Sequence, residues 1–115
     1  MIILTDPEIL VLCQKGDKRA FRLLVERYMK RGYFSALGFV HDHERALDLS
    51  METFVKCWRA VKKIDPRRPF FTWYYAILKN MCLNEIRDAK KRCLPFSRVG
   101  KATALKAILI IISPQ

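Results

Sequence analysis

Apolar positions along the chain recur at three- and four-residue steps, the pattern of amphipathic α-helices. The clearest stretch follows Asp17 and predicts one long helix ending near Val40. Its apolar stripe consists of Phe21, Leu24, Val25, Tyr28, Met29, Ala36 and Leu37. The next helix carries a second stripe, made of Leu47, Met51, Phe54, Val55, Trp58 and Val61. Strand-type alternation does not compete in these segments, so the pattern predicts an all-α fold, a small antiparallel bundle of about four helices.

Local signals predict where the helices begin and end. Thr5 and Glu8 have the spacing of a capping box, and Gly16 is placed to end that short first helix. Asp17 and Asp42 are predicted to cap the second and third helices, because short acidic side chains accept hydrogen bonds from the first free backbone amides.

Two prolines, Pro66 and Pro69, interrupt the pattern because each lacks a backbone donor and disfavours α geometry in the preceding residue. Thr72 is then predicted to cap a fourth helix. The helical period turns one set of its side chains inward: Tyr75, Leu78, Cys82 and Ile86. It turns the basic set outward: Lys79, Arg87 and Lys91.

The chain divides into a helical domain, residues 1–94, and an atypical apolar C-terminal segment, residues 95–115. Residues 107–112 are six apolar side chains in a row, and their pattern leaves helix and strand equally open. Such a segment is expected to be buried, either on its own domain or in a symmetric dimer through residues 101–112. The dimer is slightly favoured, because a small bundle has little spare apolar surface.

The distribution of charge along the chain says more about function than the overall composition does. The chain is 51% apolar and 29% charged, which suits one soluble domain. Its net charge of +11 arises entirely after residue 55, where the basic side chains are interleaved with aromatic rings between residues 66 and 92. Cations attract phosphate and exposed rings stack on unpaired bases, so this half is expected to bind nucleic acid.

Other classes of function find little support in the sequence. Cys13, Cys57, Cys82 and Cys93 contain no C-x-x-C pair, which argues against a zinc module or a secreted disulfide framework and favours reduced thiols, some of them in the core. His41 and His43 supply at most two metal ligands. The pattern of a signal peptide, a membrane span or a catalytic constellation does not appear. We therefore expect a cytoplasmic, non-enzymatic protein without a cofactor.

Three motifs stand in order along the chain: Gly16-Asp17-Lys18-Arg19-Ala20-Phe21 followed by Tyr28, the run from Glu44 to Phe54 (ERALDLSMETF), and Phe71-Thr72-Trp73 with Asn80 and Arg87. In this order and spacing they resemble region 2 of bacterial RNA polymerase sigma factors of the extracytoplasmic-function class. The resemblance covers most of the chain, roughly Thr5 to Arg92. It departs at Met51, where the family usually has Gln, and at Asn84, where it often has Asp.

The resemblance implies that the proline-rich loop and fourth helix capture the non-template single strand of the −10 promoter element, with one base flipped out. The expected pocket wall consists of Phe70, Thr72, Tyr75 and Asn80. For Trp73, stacking on DNA and packing in the core are equally expected, whereas Phe71 is expected in the core. The expected phosphate ligands are Arg67, Arg68, Lys79, Arg87, Lys90, Lys91 and Arg92. An ordinary solvated face is the alternative for these cations.

The same resemblance implies that the third helix docks on the clamp helices of the largest subunit of core RNA polymerase. The residues expected to make this contact are Asp48, Leu49, Met51, Glu52 and Val55. Without the resemblance, the better interpretation would place Leu49 and Val55 in the core and leave the acids on a solvated edge.

Two other functions remain open at this stage. The chain could be a sigma-like decoy that occupies polymerase or binds an anti-sigma factor, since nothing after Arg92 resembles the second, helix-turn-helix domain of the family. It could also be a general single-strand nucleic-acid binder, which charge and aromatic content alone would support.

Overall fold

The structure is a computed structural model that describes residues 3–92. It contains four α-helices in this range: α1 (Asp6–Gln14), α2 (Lys18–Val40), α3 (His43–Ala60) and α4 (Phe70–Arg92). A short 3₁₀ turn, Val61–Lys63, follows α3. The predicted all-α fold is confirmed. The expectations for residues 95–115, including burial and the dimer through 101–112, lie outside the described residues.

The helix starts follow the local chemistry of the sequence. The Thr5 hydroxyl accepts from the Glu8 amide, and the Glu8 carboxylate accepts from the Thr5 amide at 2.8 Å. Asp17 accepts from the amide of Ala20 at 3.2 Å, and Asp42 accepts from that of Arg45 at 3.0 Å. All three predicted caps are confirmed, because each depends only on residues within one helical turn.

The start of α4 differs from the prediction. The helix begins at Phe70, directly after Pro69, so Thr72 lies inside the first turn and does not cap it. A proline lacks only the backbone donor that a first helical turn leaves unused, so a helix can begin immediately beside it.

Helix α2 packs against the other three helices, and α3 packs against both α2 and α4. Rings fill the centre: Phe54 lies 4.5 Å from Tyr74 between ring centroids, and Phe21 meets Phe54 edge-on at 6.4 Å. The Tyr74 hydroxyl donates to the Ser50 carbonyl at 2.9 Å, so the one polar atom on this buried ring has a partner.

A glycine sets the distance between α2 and α4. Gly32 is buried against Tyr74, and a Cβ added there would lie 2.8 Å from the Cζ atom of that ring. The sequence pattern predicted that Met29 belongs to the buried face of α2. This prediction is wrong, since Met29 is 41% exposed. The contact between helices therefore depends on a residue that an apolar stripe does not include.

The cysteines within the described range behave as small core side chains. Cys13, Cys57 and Cys82 are buried and free, which confirms that some of the thiols lie in the core. Burial raises the pKa of Cys13 to about 12 and that of Cys82 to about 11, so both thiols stay protonated near neutral pH. Within residues 3–92, no helix has the length and apolar content required to cross a membrane.

Candidate nucleic-acid interface

The loop between α3 and α4 is built around one carboxylate. Asp65 accepts from the Arg67 amide at 3.0 Å and from the Arg67 guanidinium at 3.1 and 3.2 Å. The Arg68 amide donates to the Asp65 carbonyl at 3.0 Å, which closes a turn. These local bonds give the loop a defined shape between its two prolines.

Charge within the loop is divided unequally between its two arginines. The hydrogen bond from the Arg67 side chain holds the pKa of Asp65 below its usual range, and the same bond raises the pKa of Arg67. Asp65 therefore offsets part of the charge on Arg67. The charge of Arg68 also helps to lower the pKa of Asp65, but the hydrogen bond of Arg68 to Asp65 comes from its backbone amide, so its guanidinium is the one better placed for an external anion.

Helix α1 also fixes this loop. The side-chain amide of Gln14 donates to the carbonyl of Val61 at 3.0 Å and to that of Ile64 at 2.7 Å. Val61 begins the 3₁₀ turn, and Ile64 follows its last residue, where the loop begins. One side chain at the end of α1 thus satisfies two backbone acceptors and holds the start of the loop in place.

A cleft of about 670 Å³ opens between this loop and the first two turns of α4. Its walls are Lys63, Ile64, Asp65, Arg68, Pro69, Thr72, Trp73 and Ala76. Three predicted site residues meet here: Arg68, Thr72 and Trp73. Trp73 is half-buried and meets the Phe70 ring edge-on at 5.9 Å, so its indole is fixed on one side and reachable on the other. The cleft offers a ring, a hydroxyl, two cations and the Asp65 carboxylate, which is paired with Arg67.

An exposed stripe on α4 extends away from the cleft. It follows the three- and four-residue steps of one helix face and consists of Thr72, Ala76, Lys79, Leu83 and Arg87. Lys79 and Arg87 point outward as predicted, and Asn80 lies exposed beside them. The side chains of Lys90, Lys91 and Arg92 lie outside what the structure describes, so their predicted roles rest on the sequence.

Two of the predicted wall residues are placed differently. Phe70 is fully buried among Tyr28, Trp73 and Tyr74, so it supports the cleft from behind and cannot stack on a base. Tyr75 lies outside the cleft and faces α2, with its ring 6.3 Å from that of Phe39, and it is 37% exposed instead of inward. Tyr74 takes the inward position because Gly32 makes room for it.

The structure places most of the residues predicted to dock on polymerase inside the domain. Asp48, Leu49, Met51 and Val55 are all buried within the domain, and Glu52 alone in this set is half exposed. The central position of α3 between α2 and α4 explains the burial of the apolar members. The interpretation that puts Leu49 and Val55 in the core is therefore the correct one for these two residues.

Asp48 is buried because it belongs to an ion-pair network. The Arg45 guanidinium contacts Asp48 at 2.9 Å within α3 and Glu85 of α4 at 2.9 Å. The Arg45 and Asp48 side chains are only 8% and 4% exposed. A buried carboxylate requires such a partner, so Asp48 joins α3 to α4 through Arg45 and presents no charge to a docking protein.

Sequence reasoning missed several walls of the cleft, above all Lys63, Ile64 and Ala76. Lys63 and Ile64 precede the prolines and carry no motif of their own. Ala76 follows from Thr72 by one helical turn, so a correct start for α4 would have found it.

Comparison with known proteins agrees with this arrangement. The profile of the family described as "Sigma-70 region 2" matches residues 24–92. The chain belongs to the sigma-70 region 2 family. The match includes most of α2 and all of α3, the loop and α4, so it contains the cleft and the exposed stripe. Helix α1 lies before it.

Curated relatives share about one identical residue in three with this sigma-70 region 2 domain. It is 37% identical to RNA polymerase sigma-H factor of Pseudomonas aeruginosa over 81 residues, which is 70% of this chain and 42% of that protein. It is 34% identical to ECF RNA polymerase sigma factor SigW of Bacillus subtilis over 80 residues, 67% of this chain and 41% of that one. The aligned region therefore spans less than half of each relative.

A solved structure shows the same architecture. The chain superposes on the NMR structure of an engineered region 2 of sigma-E in complex with GTAAAA, with a TM-score of 0.71 and 35% identity. The match covers 77% of this chain and 93% of the other.

Proposed function

We propose that this chain binds the non-template single strand of the −10 promoter element, as a non-catalytic specificity module that docks on core RNA polymerase. The observation that carries the proposal is the cleft between the loop and α4, which continues into the exposed basic stripe of a sigma-70 region 2 domain.

The cleft has the chemistry needed to hold an unpaired base. Extruding a base costs a few kcal/mol, which stacking on a ring and neutralisation of the backbone offset. Trp73 supplies the reachable ring, Thr72 a hydroxyl and Arg68 a cation at the mouth. Because the Asp65 turn and Pro69 already fix the loop, little conformational entropy remains to be lost on binding.

The α4 stripe would hold the backbone of the same strand. Lys79 and Arg87 project from one face, and Asn80 adds an amide that can both donate and accept. Lys90, Lys91 and Arg92 continue the sequence of cations along the helix. In this proposal the aromatic cleft selects the base, and the stripe contributes affinity that weakens with salt.

An oligonucleotide titration tests the proposal. The probe is a labelled single strand of sequence GTAAAA, the ligand named in the matched structure, and the reference is a scrambled strand of the same composition. The parent chain is expected to prefer GTAAAA. Trp73→Ala should weaken binding at least about fivefold, since stacking is worth roughly 1–3 kcal/mol per base, and Arg68→Ala should weaken it to a similar extent because a contact to the charged strand is lost.

Lys18→Ala is the matched control, because Lys18 is an exposed cation at the start of α2 and outside the cleft. It should bind GTAAAA like the parent. Circular dichroism of every variant checks the fold. Equal affinity for both strands, with no loss in the Arg68 and Trp73 variants, would reject −10 recognition and leave a general single-strand binder.

For polymerase docking, Glu52 is the residue of the original set that remains accessible. We propose that its carboxylate meets a basic residue of the clamp helices in the largest subunit, because complementary charge favours such contacts. Glu52→Lys should reduce capture of core polymerase in a pull-down. Glu26→Lys makes the same charge change on α2 and should not.

Unchanged capture by the Glu52 variant would reject this edge of α3 as the docking surface. Capture of polymerase or of an anti-sigma factor, without any preference for GTAAAA, would instead support the decoy function.

A further inference from the structure

The middle of α2 presents an exposed aromatic ring among cations, and the proposed cleft does not use it. Phe34 is 59% exposed. It lines a second surface cleft, of about 580 Å³, whose other walls are Arg27, Lys30, Arg31 and Ser35. These five residues are called the α2 patch below. The Phe34 ring meets the Tyr33 ring edge-on at 5.1 Å, so it is supported by a neighbour while much of its surface stays open beside the cations of the α2 patch.

The α2 patch is continuous with α4. The Arg31 guanidinium lies over the Phe71 ring, 4.0 Å from its centroid. The Phe71 ring is 6.2 Å from that of Tyr75, and Tyr75 precedes Lys79 of the exposed stripe by one helical turn. These rings and cations thus connect the α2 patch to the part of α4 that carries Lys79.

The chemistry of the α2 patch favours a polyanion with flat faces. Lys30 and Arg31 are exposed cations, and the one acid nearby in sequence, Glu26, is paired with Arg22 at 3.1 Å. Arg27 is held by Asp6 at 2.5 Å and by the Leu4 carbonyl at 2.9 Å, so it shapes the wall more than it attracts ligand. An apolar protein partner would meet two cations beside a single ring, which is a poor match.

We propose that the α2 patch is a second nucleic-acid subsite, which binds the continuation of the single strand held in the cleft. Phe34 stacks on one base of that continuation, and Lys30 and Arg31 contact its phosphates. The inference rests on the proposed function, because it requires that the cleft and the α4 stripe hold the first part of the strand. With the second subsite, the domain would contact more nucleotides of the strand than the cleft alone can hold.

A length series tests the second subsite. The probes are GTAAAA and the same strand lengthened at its 5′ end, its 3′ end or both by about six nucleotides, a step within the site sizes of single-strand binders. The parent chain should bind one lengthened strand more tightly than the hexamer. Phe34→Ala should lose at least about fivefold on that strand and nothing on the hexamer.

Lys30→Ala adds an independent readout. Loss of one phosphate contact should lower the slope of log affinity against log salt by about 0.7 for a single strand. Leu23→Ala and Lys18→Ala are the controls, because both side chains are exposed on α2 and lie outside the α2 patch. Neither should change the binding of any strand.

The possible failures are distinguishable. If Phe34→Ala and Lys30→Ala bind every strand like the parent while Arg68→Ala loses the hexamer, the second subsite is wrong and the proposed function stands. If the parent gains nothing from a longer strand, the second subsite is also wrong. If Phe34→Ala changes only the mass seen by light scattering, a second copy of the chain covers this face. If the parent binds no strand, both proposals fail.

Discussion

The protein contains two Arg–Asp pairs whose members are neighbours in sequence, one pair buried and the other exposed. In α3, Arg45 and Asp48 are 8% and 4% exposed at the side chain, whereas in the loop before α4, Arg67 and Asp65 are 89% and 38% exposed. A third charge explains the difference: Glu85 of α4 completes the buried pair. The sequence spacing of two opposite charges therefore does not predict whether the pair is buried, because burial of the first pair depends on Glu85, 40 residues from Arg45.

The difference between the pairs has consequences for the site. The buried pair links α3 to the second half of α4 and so fixes the helix that carries the exposed stripe. The exposed pair shapes only the turn at the mouth of the cleft. One supports the interface from inside the domain, and the other orders its rim.

The largest effect is expected from removing the shared cation of the buried pair. Arg45→Ala would leave the Asp48 and Glu85 carboxylates together without it. We expect the free energy of unfolding to fall by about 3–5 kcal/mol, because breaking a buried pair leaves buried charge uncompensated. Urea denaturation measures this. Arg59→Ala, an exposed position on the same helix, should change stability by less than about 0.5 kcal/mol. Similar losses in the two variants would show that the pair is not buried in solution.

A smaller effect is expected where α4 meets α2. Gly32→Ala places a Cβ 2.8 Å from Tyr74 Cζ, so the helices must separate or the ring must move. We expect a loss of about 1–3 kcal/mol, as for other overpacked cores. Gly38→Ala on the same helix meets nothing within 4 Å and should gain about 0.5–1 kcal/mol from helix propensity. Thermal unfolding of both variants checks the opposite signs, and a stable Gly32 variant would contradict the close approach.

The smallest effect is expected at the exposed pair. Because Arg67 lowers the pKa of Asp65 in the folded chain, the turn is fully stabilised near neutral pH and loses this contribution as pH falls through the lowered pKa. Arg67→Ala should raise the pKa of Asp65 towards its ordinary value, with little change in unfolding. An NMR titration of the Asp65 carboxyl carbon measures the shift. The Arg68→Ala variant should move it less, and equal shifts would contradict the bidentate contact.

The sequence predicted features that depend on a few neighbouring residues. The caps at Thr5, Asp17 and Asp42 and the long helix ending at Val40 follow from spacing alone, and the family motifs lead to the loop and α4. The outward basic residues Lys79 and Arg87 also follow, because charged side chains without a buried partner stay in water.

What the sequence could not predict depends on contacts between helices. The aromatic run from residue 70 to residue 75 fits several helical faces, so periodicity does not choose between Tyr74 and Tyr75. Gly32 on α2 makes that choice. Asp48 was expected on the surface because Glu85, the other carboxylate that contacts Arg45, is far away in sequence. Phe70 was expected at the site for its ring, and the same ring is what the core requires.

The amide of Gln14 has a consequence for where this domain should be cut. The family profile begins at residue 24, yet α1 ends in a side chain that holds the carbonyls of Val61 and Ile64. The region that matches the family profile is therefore shorter than the region that shapes the cleft, because the latter includes Gln14 of α1. A fragment that begins at residue 24 would keep α4 and its exposed stripe. It would lose the Gln14 hydrogen bonds that hold the backbone at Val61 and Ile64. A transfer of the proposed binding site to another sigma region 2 domain should therefore include α1 along with the loop.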